Sequence, residues 1–344
     1  MANQRKVAER LKAIVRALPK VSVTVLADLV ADEFVFGEIA RVSREAPVLI
    51  LKHRERRVVP GGGGNAVMNL ASLGVQVFPV GLVGDDEAGE LLLAEFRKAK
   101  VPTSGITRLK GHITTTKSRI LAGMSHTSRQ QVVRVDREPA PIAEGHTALA
   151  KLAKVAREHA AQSSALLVSD YGYGSATPKL LEQIKAKGWN ARKPITLDSR
   201  YRMLEYAGAT AATPNESEVE EALGIKIGHD DGRLFMAGKQ VMQRMGLESL
   251  VITRGRDGMV AFERDQKPLA IPIFGSDQAV DVTGAGDTVI ATFTAALAAE
   301  ADTPTAARLA NLAGGVVVMK RGTATVSSAE LMTAIDHFTA AMKS

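Results

Sequence analysis

The chain has 344 residues, 45% of them hydrophobic, which is enough to bury the core of one large α/β domain or of two smaller ones. No apolar run approaches the roughly 18 to 20 residues that cross a bilayer, and charges interrupt the first twenty positions, so we expect neither a membrane protein nor an exported one. The absence of cysteine excludes disulfides and thiolate metal sites, and we expect a cytoplasmic protein. The net charge of +7 is dispersed and aromatic residues make up only 4%, so no nucleic-acid partner is expected.

Apolar residues recur at helical spacing within residues 1–20 and predict an N-terminal helix. Strand-like and helical stretches then alternate, which predicts βαβ units and a mostly parallel sheet covered on both faces. The predicted strands are Val21–Leu26, Val75–Val80, Ala165–Ser169, Pro194–Leu197, Thr210–Ala212 and Leu250–Thr253. The predicted helices are Ala66–Leu73, Glu87–Lys100, Thr147–Ala161 and Pro178–Ala186.

Two segments, 34–59 and 114–136, interrupt this alternation with β-branched residues and alternating charges. We expect them to form a small inserted β lid over a ligand site at the carboxyl ends of the main strands. Without a repeat or a linker, a single domain over residues 1–344 is expected. Unpaired strand edges of the lid also predict a homodimer through this sheet.

The segment DVTGAGDT, residues 281–288, precedes an apolar helical pattern. Small residues before a helix let backbone N–H groups face an anion, and the helix dipole adds partial positive charge. In the first turn, Asp287 would repel a resting phosphate, yet it suits a base that takes a proton from an attacking hydroxyl, as phosphoryl transfer requires. A plain helix cap with tight-turn glycines explains the same letters equally well.

A second glycine-rich segment, PGGGGN at residues 60–65, also opens a helical stretch and is followed by Asn69. Adjacent glycines suit the close approach of a ligand to the backbone, and we expect Asn65 to bind sugar hydroxyls. A flexible loop capped by Asn65 is the alternative. Asp28 and Asp32 follow the first strand, where they are either acceptors for polyol hydroxyls or solvated loop residues.

Together these motifs resemble the pfkB family of carbohydrate kinases, which includes ribokinase. The resemblance runs from residue 21 to about residue 340, and its most specific part is the segment 280–288. It implies a ribokinase-like fold, ATP as phosphoryl donor, and Asp287 as catalytic base. It also implies an anion hole formed by the backbone of Gly284, Ala285 and Gly286.

The resemblance further implies the groups that hold nucleotide and metal. Asn215 and Glu218 match a motif that organises Mg²⁺ and phosphate, with Glu218 acting on the metal directly or through water; a helix start with first-turn acids is the alternative. The remaining nucleotide positions are Thr253, Arg254, Gly255, Gly258, Gly284, Gly286 and Asn311. Asp281 and Thr283 match positions that hold a monovalent cation such as K⁺ in relatives.

Local strings such as 65–74 and 130–136 are similar to kinases that phosphorylate D-glycero-β-D-manno-heptose 7-phosphate at its anomeric hydroxyl. Three basic residues on predicted lid strands would counter the substrate phosphate, although a salt-bridged lid face explains them too. The expected sugar or sugar-phosphate contacts are Asp28, Asp32, Gly62, Gly63, Asn65, Asn69, Lys117, Arg119, Arg134 and Asp170.

The sequence departs from the heptose kinases at Tyr173, where they have lysine, and at Ser199-Arg200, where they have Pro-Lys. A kinase for another sugar, such as ribose or fructose, therefore remains an alternative. A catalytically silent sugar or nucleotide sensor is a third, against which the intact Asp287 argues. Only the kinase step is expected, because little sequence follows the kinase-like part.

Overall fold

The computed structural model describes residues 2–123, 129–140, 142–143, 145–186, 189–275 and 279–341. The helices in these ranges are α1 (Ala2–Ala17), α2 (Gly63–Ser72), α3 (Glu87–Lys98), α4 (Thr147–Gln162), α5 (Pro178–Lys185), α6 (Glu216–Leu223), α7 (Asp231–Met245), α8 (Ala285–Ala298), α9 (Thr303–Val317) and α10 (Ser328–Ala341). The strands are β1 (Ser22–Ala27), β2 (Leu29–Val42), β3 (Leu49–Gly62), β4 (Gln76–Gly84), β5 (Ile106–Leu109), β6 (Thr116–Gly123), β7 (Gln130–Arg137), β8 (Ala165–Asp170), β9 (Ile195–Ser199), β10 (Ala211–Ala212), β11 (Ser249–Thr253), β12 (Met259–Glu263) and β13 (Leu269–Ile271).

Nine strands of the described chain form the main sheet, in the order β13-β12-β11-β10-β9-β8-β1-β4-β5. All pairs from β11 to β5 are parallel, and β12 and β13 add an antiparallel edge. Parallel strands covered on both faces lack polar alternation, which explains why residues 23–27 of β1 are all buried. The predicted mostly parallel, doubly covered sheet is confirmed.

Helices on the two faces of the sheet bury separate apolar clusters. Val23 and Val25 of β1 belong to the cluster that includes α1, α2, α3, α8, α9 and α10, whereas Leu26 belongs to the cluster with α4, α5 and α7. Close packing of this kind resists small displacements. The sheet therefore holds the carboxyl ends of its strands in fixed positions.

The small sheet has the order β3-β2-β6-β7, and we call it the lid sheet. Its strands β2 and β3 form a long hairpin, and β6 runs parallel to β2. The predicted lid is confirmed as a separate small sheet. Its hairpin is longer than the predicted segment 34–59, because β2 begins at Leu29 and β3 ends at Gly62. Residues 124–128 of the second predicted lid segment lie outside the described residues.

The chain passes from β1 to β4 on one side and later returns to β8 on the other side of β1. Open α/β sheets bind ligands in the crevice at such a reversal of strand order. Here α2 and α8 pack against each other, and their N-terminal ends meet at this crevice. No helix within the described ranges could span a membrane.

Candidate active site

The start of α8 forms a cradle of backbone N–H groups. Its N-cap, Gly284, has φ 77°, a conformation that favours glycine, and a Cβ there would lie 2.4 Å from the side-chain nitrogen of Asn65. A Cβ on Gly286 would meet nothing within 4 Å, so open space adjoins this part of the first turn. The N–H of Ala285 donates to the carbonyl of Val282 at 3.2 Å, whereas those of Gly284 and Gly286 have no acceptor among the described residues. Together with the helix dipole, these two N–H groups make the space suitable for an anion.

Asp287 lies in the first turn of α8 and is only 5% exposed. The hydroxyl of Tyr171 donates to Oδ1 at 2.7 Å, and Nδ2 of Asn65 donates to Oδ2 at 3.0 Å. Burial raises the pKa of Asp287 to about 7, although the two hydrogen bonds oppose the rise. A carboxylate that titrates near neutral pH suits general base catalysis.

Asn65 is held in one orientation by Asn69. Nδ2 of Asn69 donates to Oδ1 of Asn65 at 3.1 Å, and Oδ1 of Asn69 accepts from the N–H of Val326 at 3.2 Å. Because the side-chain oxygen of Asn65 thus accepts from Asn69, the side-chain NH₂ group of Asn65 faces Asp287. Asn69 was expected to contact the sugar; its side chain is fully buried and is bonded to Asn65.

Asp32 of the lid sheet faces the same cleft. Its Oδ1 accepts from Arg119 at 2.5 Å and its Oδ2 from the hydroxyl of Thr323 at 2.9 Å. The guanidinium of Arg119 also lies 5.5 Å from the ring centroid of Phe34. The charge of Asp32 contributes to the raised pKa of Asp287. Arg119 is already paired with a carboxylate, that of Asp32.

Lys117 projects from β6 toward the loop that follows β8. Its ammonium lies 5.9 Å from the ring centroid of Tyr171 and 5.8 Å from that of Tyr173. Burial lowers the pKa of Lys117, and the charge of Arg200 adds to this effect. Among the described residues Lys117 forms no salt bridge, although the charges of Asp136 and Asp32 act on it, so its ammonium can still accept an anionic ligand.

Two cavities adjoin the anion cradle, and both are lined by Thr253, Val282 and Gly286. The first, about 490 Å³, is rich in carboxylates and also contains Arg200. The second, about 420 Å³, is mostly apolar and contains Gly255, Gly258 and Asn311 together with Met259, Ile273, Val289 and Val318. Nδ2 of Asn311 donates to the carbonyl of Pro272 at 2.9 Å and so fixes the cavity wall.

Asn215 and Glu218 form a capping box at the start of α6: Oδ1 of Asn215 accepts from the N–H of Glu218 at 2.9 Å, and Oε2 of Glu218 accepts from the N–H of Asn215 at 2.8 Å. Both residues line the carboxylate-rich cavity, together with Asp198. Burial raises the pKa of Glu218, and it raises that of Asp198 well above its usual range, with the charges of Glu218 and Asp287 adding to it.

The largest of the described cavities, about 1120 Å³, lies between the lid sheet and the loops at 280–283 and 321–323. We call it the lid cavity. Its lining includes two acidic residues, Glu38 and Asp281, and five arginines: Arg54, Arg57, Arg119, Arg129 and Arg321. The excess of positive charge favours anionic ligands.

Residues 30–330 match the model of the pfkB family carbohydrate kinases. The chain belongs to this family. It is 39% identical over 331 residues to bifunctional protein HldE of Geobacter metallireducens, which is 96% of this chain and 65% of that protein. It is also 39% identical over 318 residues to HldE of Mesorhizobium japonicum, covering 92% and 62%. The chain thus spans slightly less than two thirds of the length of these relatives.

Solved structures of the same fold include Arabidopsis thaliana ribokinase in complex with ribose and ATP, with a TM-score of 0.69 and 18% identity over 92% of this chain and 98% of that one. Phosphofructokinase-2 of Escherichia coli, in complex with substrates and products, gives a TM-score of 0.71 and 16% identity over 92% and 99%. The predicted ribokinase-like fold is confirmed, and at these identities the likeness concerns the fold.

Two aspartates expected to bind hydroxyls already accept hydrogen bonds from groups within the protein. Asp28 is fully buried, and its carboxylate accepts from the backbone N–H groups of Tyr171, Tyr173, Ser175 and Ala176. Asp170 accepts from the N–H of Gly172, the hydroxyl of Ser199 and the guanidinium of Arg202. Both shape the loop after β8 and leave little capacity for a ligand.

Two arginines expected at the site are paired with carboxylates. Arg254 pairs with Glu216 at 2.8 Å and with Asp231 at 3.0 Å, and Arg134 pairs with Asp136 at 2.9 Å on the exposed strand β7. Neither lines the cavities described above. The sequence indicates which segment carries an arginine, but not which carboxylate forms an ion pair with it.

The remaining expected positions are two glycines at the start of α2 and Asp281. Gly62 has φ 53°, and a Cβ on Gly63 would lie 2.4 Å from that of Ala27, so these glycines let α2 pack tightly against the end of β1. Asp281 accepts from the N–H groups of Thr283 and Gly322, each at 2.9 Å, and joins two loops beside the lid cavity.

The sequence analysis missed Tyr171, Asp198 and Thr323. Tyr171 follows β8 and Asp198 lies near the end of β9, and their position at the carboxyl ends of predicted strands is a signal that could have identified both. Thr323 carries no such signal, because it reaches Asp32 across 291 positions of sequence.

Proposed function

We propose that the chain transfers the γ-phosphoryl group of ATP to a hydroxyl of a sugar or sugar phosphate. The observation that supports this most is Asp287, a buried carboxylate that titrates near neutral pH in the first turn behind an anion cradle. Asp287 takes the proton of the acceptor hydroxyl, the hydroxyl oxygen attacks the γ-phosphorus, and ADP leaves. The N–H groups of Gly284, Ala285 and Gly286 stabilise the charge on the transferred group.

In this proposal ATP lies across the two smaller cavities. The apolar cavity, with Asn311 fixing its wall, accommodates adenine, and the carboxylate-rich cavity accommodates the phosphates. Thr253 lines both cavities, and Gly255 and Gly258 line the apolar one. The ATP in the structure of Arabidopsis ribokinase supports this assignment by analogy of fold.

The chemistry of Asp198 and Glu218 fits Mg²⁺. The ion prefers oxygen ligands and is commonly held by one or two carboxylates, water and substrate phosphates. When bound, Mg²⁺ would neutralise phosphate charge. Burial raises the pKa of both carboxyls, and a bound cation would favour their ionised forms. We also propose Asp281 and Thr283 as ligands of a monovalent cation such as K⁺.

We propose D-glycero-β-D-manno-heptose 7-phosphate as the acceptor, phosphorylated at its anomeric hydroxyl. Asp32 lies beside the base and can bind sugar hydroxyls, while the lid cavity offers room and positive charge for a distant phosphate. Lys117 is available to the same ligand. Similarity to the HldE proteins supports the choice. Tyr173, an uncharged residue whose hydroxyl donates to Glu138 at 2.6 Å, favours keeping a different sugar phosphate as the second candidate.

ADP release over a panel of acceptors tests this proposal: heptose 7-phosphate, unphosphorylated heptose, ribose, fructose and fructose 6-phosphate. We expect the highest kcat/KM with heptose 7-phosphate, because binding energy from a remote phosphate aligns the reacting hydroxyl. In Lys117→Ala this preference should shrink, whereas Arg134→Ala, which removes an exposed and already paired cation, serves as the control. Equal or better efficiency with an unphosphorylated pentose or hexose would reject the heptose assignment and leave the sugar kinase.

We further propose a homodimer through the lid sheet. Strand β7 is an edge strand whose residues are all exposed, including Val132, Val133 and Val135. Such an edge invites pairing with a second copy. Gel filtration at micromolar concentration should give a dimer, and a monomer would remove this proposal.

A further inference from the structure

We propose that Tyr171 is a positioning residue for Asp287: its hydroxyl fixes the orientation of the carboxylate and favours its charged form. The inference rests on the proposed role of Asp287 as the base. Tyr171 itself is not proposed to exchange a proton with the substrate.

The hydrogen-bond geometry around Asp287 supports this role. Tyr171 occupies one lone pair of Oδ1 at 2.7 Å, and Asn65 occupies one lone pair of Oδ2 at 3.0 Å. Each carboxylate oxygen retains a second lone pair for an acceptor hydroxyl. Two neutral donors therefore define the plane of the carboxylate. Unlike a bidentate arginine, they leave its negative charge unneutralised.

Tyr171 is well placed to act as a donor because its own position is fixed. Its backbone N–H donates to the buried Asp28 at 2.9 Å, and a Cβ on Gly62 would lie 3.4 Å from its ring, so backbone and ring are both confined. Burial and the charge of Asp287 raise the pKa of Tyr171 well above its usual range. The phenol thus remains protonated and donates throughout the working pH range.

Few charged groups act on Asp287, so the loss of one neutral hydrogen-bond donor, the hydroxyl of Tyr171, should shift the pKa of Asp287 measurably. The pKa of Asp287 is raised to about 7, mainly by burial; the charge of Asp32 on β2 contributes to the rise and that of Lys117 on β6 opposes it. Asp198 on β9 and Glu218 on α6 face the same space from the nucleotide side. Among the described residues, no arginine or lysine forms a salt bridge with Asp287. The hydroxyl of Tyr171 is therefore one of the few groups that favour the ionised form of this carboxyl.

Two neighbouring tyrosines allow a matched comparison. Tyr171→Phe removes the hydroxyl that reaches Asp287, whereas Tyr173→Phe removes one that reaches Glu138, and both keep an aromatic ring beneath Lys117. We would measure kcat and kcat/KM between about pH 5.5 and pH 9 by ADP release, with heptose 7-phosphate as the probe.

For Tyr171→Phe we expect the acid limb of both profiles to move up by about one pH unit, because one hydrogen bond to a charged group is lost. Tyr173→Phe should leave the position of the limb unchanged. The variant Tyr171→3-fluorotyrosine, which keeps the shape and donates more strongly, should move the limb in the opposite direction. It also keeps the test decisive if the phenylalanine variant does not fold.

An acid limb that stays in place or moves down in Tyr171→Phe would overturn the inference, as would an equal shift in Tyr173→Phe. Asp287→Asn, assayed beside them, separates this failure from a failure of the proposed function. If that variant is inactive while the limb in Tyr171→Phe is unmoved, the base assignment stands and only the positioning role is wrong. If it retains parental turnover, the base assignment itself is wrong.

Discussion

Replacing Asp287 by asparagine is expected to stabilise the fold at high pH while it removes the base. The pKa of this carboxyl rises from 3.8 to about 7 on burial, so its ionisation costs more free energy in the folded than in the unfolded chain. This cost is absent below the unfolded value, grows as the pH rises and is complete above about pH 7. Asparagine keeps the shape and stays neutral at every pH.

The size of the effect follows from the shift. At about 1.4 kcal/mol per pKa unit, ionisation of Asp287 costs up to about 4 kcal/mol near pH 8 and under 2 kcal/mol near pH 5. An entropy of unfolding of about 2.1 cal/mol/K per residue, over the 344 residues, converts these values to about 6 °C and 2 °C in Tm. In the variant the amide can accept from Asn65 and donate to the hydroxyl of Tyr171, so both contacts survive.

Differential scanning calorimetry without ligand, near pH 5 and near pH 8, measures the difference in Tm between variant and parent. We expect the variant to be the more stable, by roughly 4 °C more at the higher pH. Asp265→Asn is the control: Asp265 is exposed and has φ 61°, a conformation that asparagine also accepts, so it should change little at either pH. An equal Tm difference at both pH values would refute the assignment of a buried, costly charge.

Two further predictions concern neighbouring side chains. Glu218→Gln should raise the Mg²⁺ concentration needed for half-maximal activity without unfolding α6, because glutamine preserves the capping box; overlaid Mg²⁺ titrations of variant and parent would reject the metal role. Asn69→Ala frees the amide of Asn65 to rotate, so kcat should fall by about tenfold with little change in KM for the sugar; an unchanged kcat would show that Asn65 needs no such support.

The local parts of the site were accessible from the sequence. The segment 281–288 predicted a helix start with an acidic first turn, and the structure has both. Alternating strands and helices predicted the sheet, and its order places the glycine-rich segments at the crevice. These features depend on neighbours in the chain, for which turn and helix chemistry is sufficient.

The contacts between distant segments were not accessible. Asn65 meets Asp287 across 222 positions, and Asp28 receives N–H groups from a loop more than 140 positions away. The sequence indicated that Asp28 follows a strand, but not that backbone donors would occupy it. Arg119 was likewise visible as a lid cation, whereas its capture by Asp32 depends on the register of β2 against β6.

The turnover of Asp287→Asn tests the central claim most directly. With saturating ATP, Mg²⁺ and the best acceptor of the panel, we expect kcat to fall by about 10² to 10⁴ or more, since the base is lost. ATP binding, measured by isothermal titration calorimetry, should persist because the anion cradle of α8 is backbone. A variant that binds ATP and turns over at the parental rate would contradict the account.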